Sequence, residues 1–239
     1  MADKILTFNG KTISGPSGTG MVMVKEPEPD PGFIDIGDTR YNTVTIGNQV
    51  WIKENLDYIF NGLNVSSEGS PITGEPTVPT AWYYKDGIDG VYYDNRLLYN
   101  GYAIKYLEDN KSTLLPNGWH VPTLADWQTL FDTVSMISDL KSEPGKSYIQ
   151  DETIEDPDFV RDFPNYNWNH YEDKYGFNLM PCGCRWYDDF AYINNEAMLA
   201  TSTYQQGTPI IIMIDDSDNI EQESSNDIAS TIRLVKNIT

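Results

Sequence analysis

Short apolar runs alternate with turn-forming residues along most of the chain. Residues 44–46 and 50–52 carry apolar side chains at alternate positions and flank Gly47-Asn48, which predicts two strands joined by a tight turn. Residues 209–214 form a continuous, mostly β-branched run of strand length, which predicts a buried core strand. From Phe177 onward, the pattern predicts strands and turns only.

Helical spacing occurs in two stretches. Apolar residues recur every three or four positions between Trp127 and Val134, which indicates a helix with one buried face. Thr123 is a favourable N-cap, and the acid Asp126 lies three residues later, where it can accept hydrogen bonds from the exposed amides at the start of the helix. We therefore predict one helix over residues 97–107 and another over 123–140. With the strands, they predict an α+β fold with two helices and short antiparallel sheets.

The first 24 residues form a separate N-terminal module. It contains three short β-prone pieces, and Asn9-Gly10 predicts a hairpin turn between the first two. A module of this size cannot bury a core alone, so we predict that it adds its strands to a neighbouring protein and acts as an assembly segment. Its apolar contact residues would be Ile5, Phe8, Ile13, Met21, Val22 and Val24.

Residues 25–34 are predicted to link this module to a domain that spans residues 35–239. Proline alternates with acidic residues between Lys25 and Gly32, which favours an extended polyproline II conformation. At about 3.1 Å per residue, this stretch would span roughly 25 Å. Such a stiff linker would hold the domain away from the surface on which the N-terminal module assembles.

Aromatic residues are concentrated in two polar stretches, 61–95 and 141–174, which we predict to be surface loops. Aromatic residues make up 13% of the chain, and 16 of them are tyrosines. Aromatic rings on loops suit ligand contact, although tyrosines also line the short strands of loop-rich folds. The candidate contact residues are Trp82, Tyr83, Tyr84, Tyr92, Tyr93, Trp168 and Tyr171.

The charge of the chain excludes two classes of partner. The formal net charge is −20, from 36 acidic and 16 basic residues. Nucleic-acid binding needs a positive footprint, and so does adhesion to anionic lipid. No stretch approaches transmembrane length, and the first ten residues lack the apolar run of a signal peptide. We therefore expect neither nucleic-acid binding nor membrane insertion, and high charge favours solubility at high local density.

Side chains that carry catalysis or bind metals are few. The acidic cluster Asp215-Asp216-Ser217-Asp218 lacks the glycine and distal glutamate of a calcium loop, so a solvated turn is favoured. The two cysteines, Cys182 and Cys184, are too closely spaced for an unstrained disulfide, which favours reduced, half-buried thiols. His120 is predicted to be a core histidine bonded to the backbone, and a nucleophilic pair of His170 with a cysteine lacks an orienting group. We predict no metal, no cofactor and no catalytic activity.

Several motifs resemble the Fibrobacter succinogenes major paralogous domain family. The first is Gly118-Trp119-His120-Val121-Pro122-Thr123, and the others are residues 41–56, 98–103, 175–185, 200–203 and 231–236. The resemblance covers roughly residues 35–239 and implies a fold similar to C-type-lectin-like domains, without catalytic activity and mostly on bacterial surfaces. The chain departs from the family pattern at Cys182, Cys184, Met198-Leu199 and Leu234, so no disulfide or ligand surface is carried over from relatives.

The N-terminal module also resembles the short assembly peptides that begin virion proteins of crAss-like bacteriophages. These resemblances imply a bacteriophage structural protein of the virion, as a head or tail fibre or a decoration protein. Residues 1–24 would dock onto other virion proteins, and a lectin-like domain would contact host glycan or protein as a homo-oligomer. The alternatives are a non-enzymatic bacterial cell-surface binding module and, more distantly, an enzyme that uses Cys182 and Cys184 as a redox pair.

Overall fold

The computed structural model describes residues 4–8, 11–15, 32–66, 77–83, 97–142, 172–186, 189–192 and 195–238. Its first eight strands are β1 (Lys4–Phe8), β2 (Lys11–Gly15), β3 (Phe33–Ile36), β4 (Thr39–Ile46), β5 (Gln49–Ile52), β6 (Asn64–Ser66), β7 (Thr80–Tyr83) and β8 (Leu97–Tyr99). The helices are α1 (Gly101–Asp109), α2 (Lys111–Leu114), α3 (Leu124–Thr133) and the 3₁₀ helix η1 (Ile137–Leu140). The remaining strands are β9 (Cys184–Trp186), β10 (Asp189–Ala191), β11 (Ala197–Gln205), β12 (Thr208–Ile214), β13 (Ile220–Ser224), β14 (Ile228–Ala229) and β15 (Val235–Asn237).

The N-terminal strands β1 and β2 form a two-stranded antiparallel sheet of their own. Lys4 pairs with Gly15 at one end of the ladder, and Phe8 pairs with Lys11 at the other. The proposed turn Asn9-Gly10, the third β-prone piece with Met21, Val22 and Val24, and the linker residues 25–31 lie outside the described residues. The strand pairing of the first two pieces is confirmed.

A four-stranded sheet in the order β15-β5-β4-β3 joins the beginning and the end of the domain. Strands β4 and β5 form the predicted hairpin, in which Ile46 pairs with Gln49 across the Gly47-Asn48 turn. Gly47 has a φ of +61°, a conformation that favours glycine. Val235 of β15 pairs with Trp51 of β5, so the last strand lies beside one of the first.

Three smaller sheets complete the domain, in the orders β6-β7-β8, β11-β12-β13 and β10-β9-β14. Strand β12 contains the apolar run at residues 209–214 and is the central strand of its sheet, as predicted. Most of the pairs are antiparallel, but β6 and β7 run parallel. The fold is therefore α+β, and the predicted short antiparallel sheets are present, while β6–β7 is a parallel pair that the prediction did not include.

The helices differ from the prediction in number and bounds. Three α-helices are described instead of two. Residues 97–99 form β8, because this fully buried apolar run pairs with β7, and the helix begins only after the N-cap Asn100. The predicted helix 123–140 is divided into α3 and η1, since Val134 has extended backbone angles that end α3.

The domain has two large clusters of buried side chains. One surrounds α1 and includes Ile52, Leu107 and Leu234. The other lies under α3, where Trp51, Trp127 and Phe177, here called the tryptophan cluster, are all fully buried. The ring centroids of Trp51 and Trp127 are 4.6 Å apart, and that of Phe177 is 5.6 Å from Trp51. Aromatic pairs at such distances stabilise a core beyond the area that they bury.

Candidate functional site

Two aromatic side chains stack on the surface beside β9. Trp186 ends β9, and Tyr192 directly follows β10. Their ring centroids are 6.0 Å apart and the ring planes are inclined by 26°. Trp186 is half-buried, while Tyr192 is 39% exposed. We call this pair the aromatic surface. Neither residue was among the predicted contact residues.

A small apolar cluster supports the aromatic surface. Its buried members are Cys184, Met198, Ile211 and Ile228, and Trp186, Ala191 and Met213 pack against them. Side chains alternate along a strand, so Cys184 and Trp186 face this cluster while Arg185 points to the other side of β9. There the guanidinium carbon of Arg185 lies 5.6 Å from the ring centroid of Trp82. The Trp186 ring is thus mounted on a paired strand, and Tyr192 directly follows the strand that pairs with it.

Acidic side chains border the aromatic surface. Glu221 and Glu223 pair with Met213 and Ile211, so they lie on the face of their sheet that carries the apolar cluster. Glu196 follows the turn at Tyr192, and its amide donates a 3.1 Å hydrogen bond to the Tyr192 carbonyl. Burial raises the pKa of Glu196, and the charges of Asp215 and Glu221 raise it further. Negative charge is therefore concentrated here.

The backbone at Tyr192 adopts a conformation that is unfavourable for an aromatic residue. Its φ is +60°, in the left-handed region, where a Cβ approaches the following carbonyl group. Holding such a residue there costs on the order of 1 to 2 kcal/mol. The amides of Asn195 and Glu196 both bond to the Tyr192 carbonyl and hold the turn. The turn thus presents the phenol ring at the expense of backbone strain.

Most of the predicted contact residues lie outside the described part of the chain. Trp82 is an exception: it lies in the central strand β7 and is only 5% exposed, so the prediction that its ring lies on a surface loop is wrong. Tyr83, at the end of β7, is half-buried and packs against the cluster around α1. The other candidates lie outside the described residues: Tyr84, Tyr92, Tyr93, Trp168 and Tyr171. His170 lies outside them as well.

His120 takes part in the N-terminal cap of α3. Its Nδ1 lies 3.5 Å from the Gly118 carbonyl oxygen, which is the predicted backbone contact. Its shorter contact, which the sequence did not predict, joins Nε2 to Oδ2 of Asp126 at 3.1 Å. Asp126 also accepts bonds from the amide and hydroxyl of Thr123 and from the side chain of Asn237 in β15. Burial raises the pKa of Asp126, but these hydrogen bonds outweigh it and hold the pKa well below its usual value. The bond to Asp126 raises the pKa of His120, although burial opposes it.

The acidic loop after β12 is a turn, as predicted, and a buried lysine closes it. Lys141 is fully buried, and its ammonium group donates to the carbonyl oxygens of Asp215, at 2.6 Å, and Asp216, at 3.1 Å. It also pairs with the Asp218 carboxylate at 2.6 Å. The ammonium group therefore bonds to oxygen atoms of the kind that would coordinate a calcium ion. Among the described residues, no group of three or more acidic, histidine or cysteine side chains is arranged to hold a metal ion.

Both cysteines are buried and unbonded to one another. Burial raises the pKa of Cys184 to about 12, and the charges of Glu196 and Glu223 contribute. Cys184 is therefore a thiol at neutral pH, and the thiolate is the reactive form. The Cys182 sulfur accepts a 2.8 Å hydrogen bond from Nδ2 of Asn55. Oδ1 of Asn55 in turn accepts a hydrogen bond from the buried Arg233. These contacts give both thiols positions in the packed interior.

The fold and a family match together classify the domain. The described residues first define an α+β domain of short sheets packed around three helices. The chain belongs to the Fibrobacter succinogenes major domain family, whose model matches residues 44–236. The match runs from β4 to β15, and it includes the cap of α3 and the aromatic surface. No curated protein and no solved structure matches the chain. In the described residues, every helix is too short or too polar to cross a membrane.

Proposed function

We propose that this chain is a non-enzymatic structural protein of a bacteriophage particle, as a head or tail fibre or a decoration protein. Its N-terminal strands would dock onto other virion proteins, and its domain would face outward to contact a glycan or protein of the host surface. Several copies, in a homo-oligomer or side by side, would strengthen weak single contacts by avidity.

The observation that carries the proposal is the two-stranded sheet of β1 and β2. It precedes the part of the chain that matches the family, and it pairs with no other sheet of the described residues. An isolated two-stranded sheet is at best marginally stable in water. Adding its strands to the sheet of a neighbouring protein would complete it. The charge of −20 suits dense display, because like charges keep neighbouring copies apart in solution.

The fold within this proposal is that of a C-type-lectin-like domain. Membership in the family supports it, since the family is similar to such domains. The pairing of β15 with β5 supports it as well, because it closes the domain with its first and last strands and frees the intervening segments for recognition.

The experiment is deletion of residues 1–24, with the full chain and the truncated chain expressed in infected cells. We expect the full chain to co-purify with particles and the truncated chain to remain soluble and folded, as measured by circular dichroism. Ile13→Asp should act like the deletion, while Thr12→Asp, in the same strand, is the matched control. Equal incorporation of the truncated chain into particles would refute the assembly role.

A bacterial cell-surface binding module is the second candidate, and the family match favours it. The same fractionation distinguishes the two proposals. Recovery of the protein in the cell envelope of uninfected bacteria would support the second candidate. Genes for portal or capsid proteins beside the coding sequence would support the proposal of a virion protein.

A further inference from the structure

We propose that the aromatic surface, together with the carboxylates of Glu196, Glu221 and Glu223, binds a cationic segment of a partner protein through a lysine or arginine side chain. The inference deepens the proposed function, since it names the chemistry of the partner that the displayed domain would contact. It concerns strands of the domain, and not the N-terminal strands that would mediate assembly.

The rings provide the first part of such a site. Trp186 and Tyr192 stack on one another, and Tyr192 remains 39% exposed. An ammonium or guanidinium group is attracted to the face of an aromatic ring, and Trp and Tyr are among the best rings for this contact. The apolar stem of a lysine or arginine would lie along the half-buried side chain of Met213, which packs on the same cluster.

The carboxylates provide the second part. Glu221 is exposed, and Glu196 and Glu223 are half-buried. Within the described part of the chain, no lysine or arginine forms an ion pair with any of the three. Burial raises the pKa of Glu196, and repulsion from the neighbouring acids Asp215 and Glu221 raises it further. A bound cation would relieve this repulsion, whereas an anionic ligand would increase it.

The strained turn provides the third part. At a φ of +60°, glycine or asparagine would cost less conformational free energy than tyrosine. Strain of this kind is concentrated at ligand-contact sites, where a side chain must be held in a set position. The buried cluster beneath Trp186 and the two hydrogen bonds to the Tyr192 carbonyl hold the ring in place before any ligand binds.

The test is a titration of the full chain with a synthetic peptide of alternating lysine and glycine. Binding is followed through the indole N–H resonance of Trp186, which the variant Trp186→Phe assigns among the six tryptophans. We expect a saturable shift that weakens when salt is raised from about 0.02 M to about 0.5 M. A peptide with glutamine in place of lysine should produce no saturable shift.

Two variants and one control define the site. Tyr192→Gly removes the ring and fits the turn, and we expect the dissociation constant to rise about tenfold. The double variant Glu221→Gln/Glu223→Gln should raise the dissociation constant by a similar factor. The matched control, Asp38→Asn/Asp132→Asn, removes two charges from exposed residues elsewhere in the domain and should leave the dissociation constant nearly unchanged.

Equal binding of the lysine and glutamine peptides would overturn the proposal, and so would the absence of any shift. A shift of the Trp186 resonance with a neutral oligosaccharide, such as a trimer of N-acetylglucosamine, but not with the lysine peptide would show that the ligand class is wrong. These results are independent of particle assembly. The binding inference and the assembly proposal therefore fail separately.

Discussion

The tryptophan cluster and the aromatic surface use the same kind of side chain in opposite ways. In the cluster, Trp51 of β5, Trp127 of α3 and Phe177 from the segment before β9 are fully buried and touch one another. In the surface, Trp186 and Tyr192 lie on one hairpin, and one ring remains open to solvent.

The polar groups around the two sites show what this difference means. Each indole N–H of the cluster has a partner: that of Trp127 donates to the Ala200 carbonyl, and that of Trp51 donates to the Gln49 side chain. Around the aromatic surface, acids are gathered without a described counter-ion, and Tyr192 is held in a strained turn. Satisfied polar groups and dense packing stabilise a fold. Unneutralised charge and strain lower stability, and they are found where a protein contacts ligands.

The largest difference should appear when one tryptophan of each site is truncated. Trp127→Ala would open a cavity beside Trp51 and Phe177 and lower the free energy of unfolding by about 3 to 5 kcal/mol. Trp186→Ala removes a half-buried ring and should lower it by only about 1 to 2 kcal/mol. Urea denaturation followed by circular dichroism measures both. Comparable losses for the two variants would mean that the surface pair is part of the core.

The cap of α3, which lies above the tryptophan cluster, should give a smaller, pH-dependent effect. The pKa of Asp126 is lowered by folding, so its contribution is present above about pH 4 and is lost on acidification. The pKa of His120 is raised, so its contribution is present below about pH 6.5 and is lost as the pH rises through the raised pKa. Stability from this pair should therefore be greatest between about pH 4 and about pH 6.5.

Urea unfolding at pH 5.5 and pH 8.5 measures this contribution. The variant His120→Gln should show less loss of stability between the two pH values than the natural chain, by about 1 kcal/mol. His170→Gln changes the other histidine and is the control. An identical pH dependence of the natural chain and His120→Gln would exclude the charge of His120 as a stabilising factor.

The smallest effect on stability is expected for Tyr192→Gly, and unlike the other variants it should not destabilise the domain. Glycine adopts the φ of +60° without strain, so stability should be unchanged or rise by up to about 1 kcal/mol, despite the loss of the ring. Thermal unfolding provides the measurement. Gly47→Ala is the converse control: that glycine has a φ of +61° in the β4–β5 turn, so the change should be destabilising. A large loss with Tyr192→Gly would show that the ring serves stability.

Local patterns predicted the parts of the domain that depend on neighbours in sequence. The Gly47-Asn48 turn, the strand in residues 209–214 and the Thr123–Asp126 cap all follow from rules that act within a few residues. Residues 97–99 were misassigned to a helix, because a short apolar run fits either a strand or a buried helix until its pairing partner is known.

The candidate site was harder to predict. Tyr192 joins Trp186 only because β9 and β10 pair, and the acids of β13 reach them through the register with β12. Lys141 closes a loop more than seventy positions away in the chain, and its burial contradicts what its residue type alone would indicate. An aromatic residue close to Asn194-Asn195, in a turn-forming stretch, was the one available signal of the strained turn.

The place of β15 in the four-stranded sheet has a consequence for biosynthesis. Trp51 of β5 cannot form its strand pairing with Val235 until the ribosome has added that residue, nearly a whole domain later. Asn237 then supplies the hydrogen bond that completes the cap of α3 through Asp126. Nascent chains therefore lack both the sheet partner and this bond until β15 has been synthesised. Such long-range pairing slows folding, so the four-stranded sheet can be completed only once β15 is available and not strand by strand.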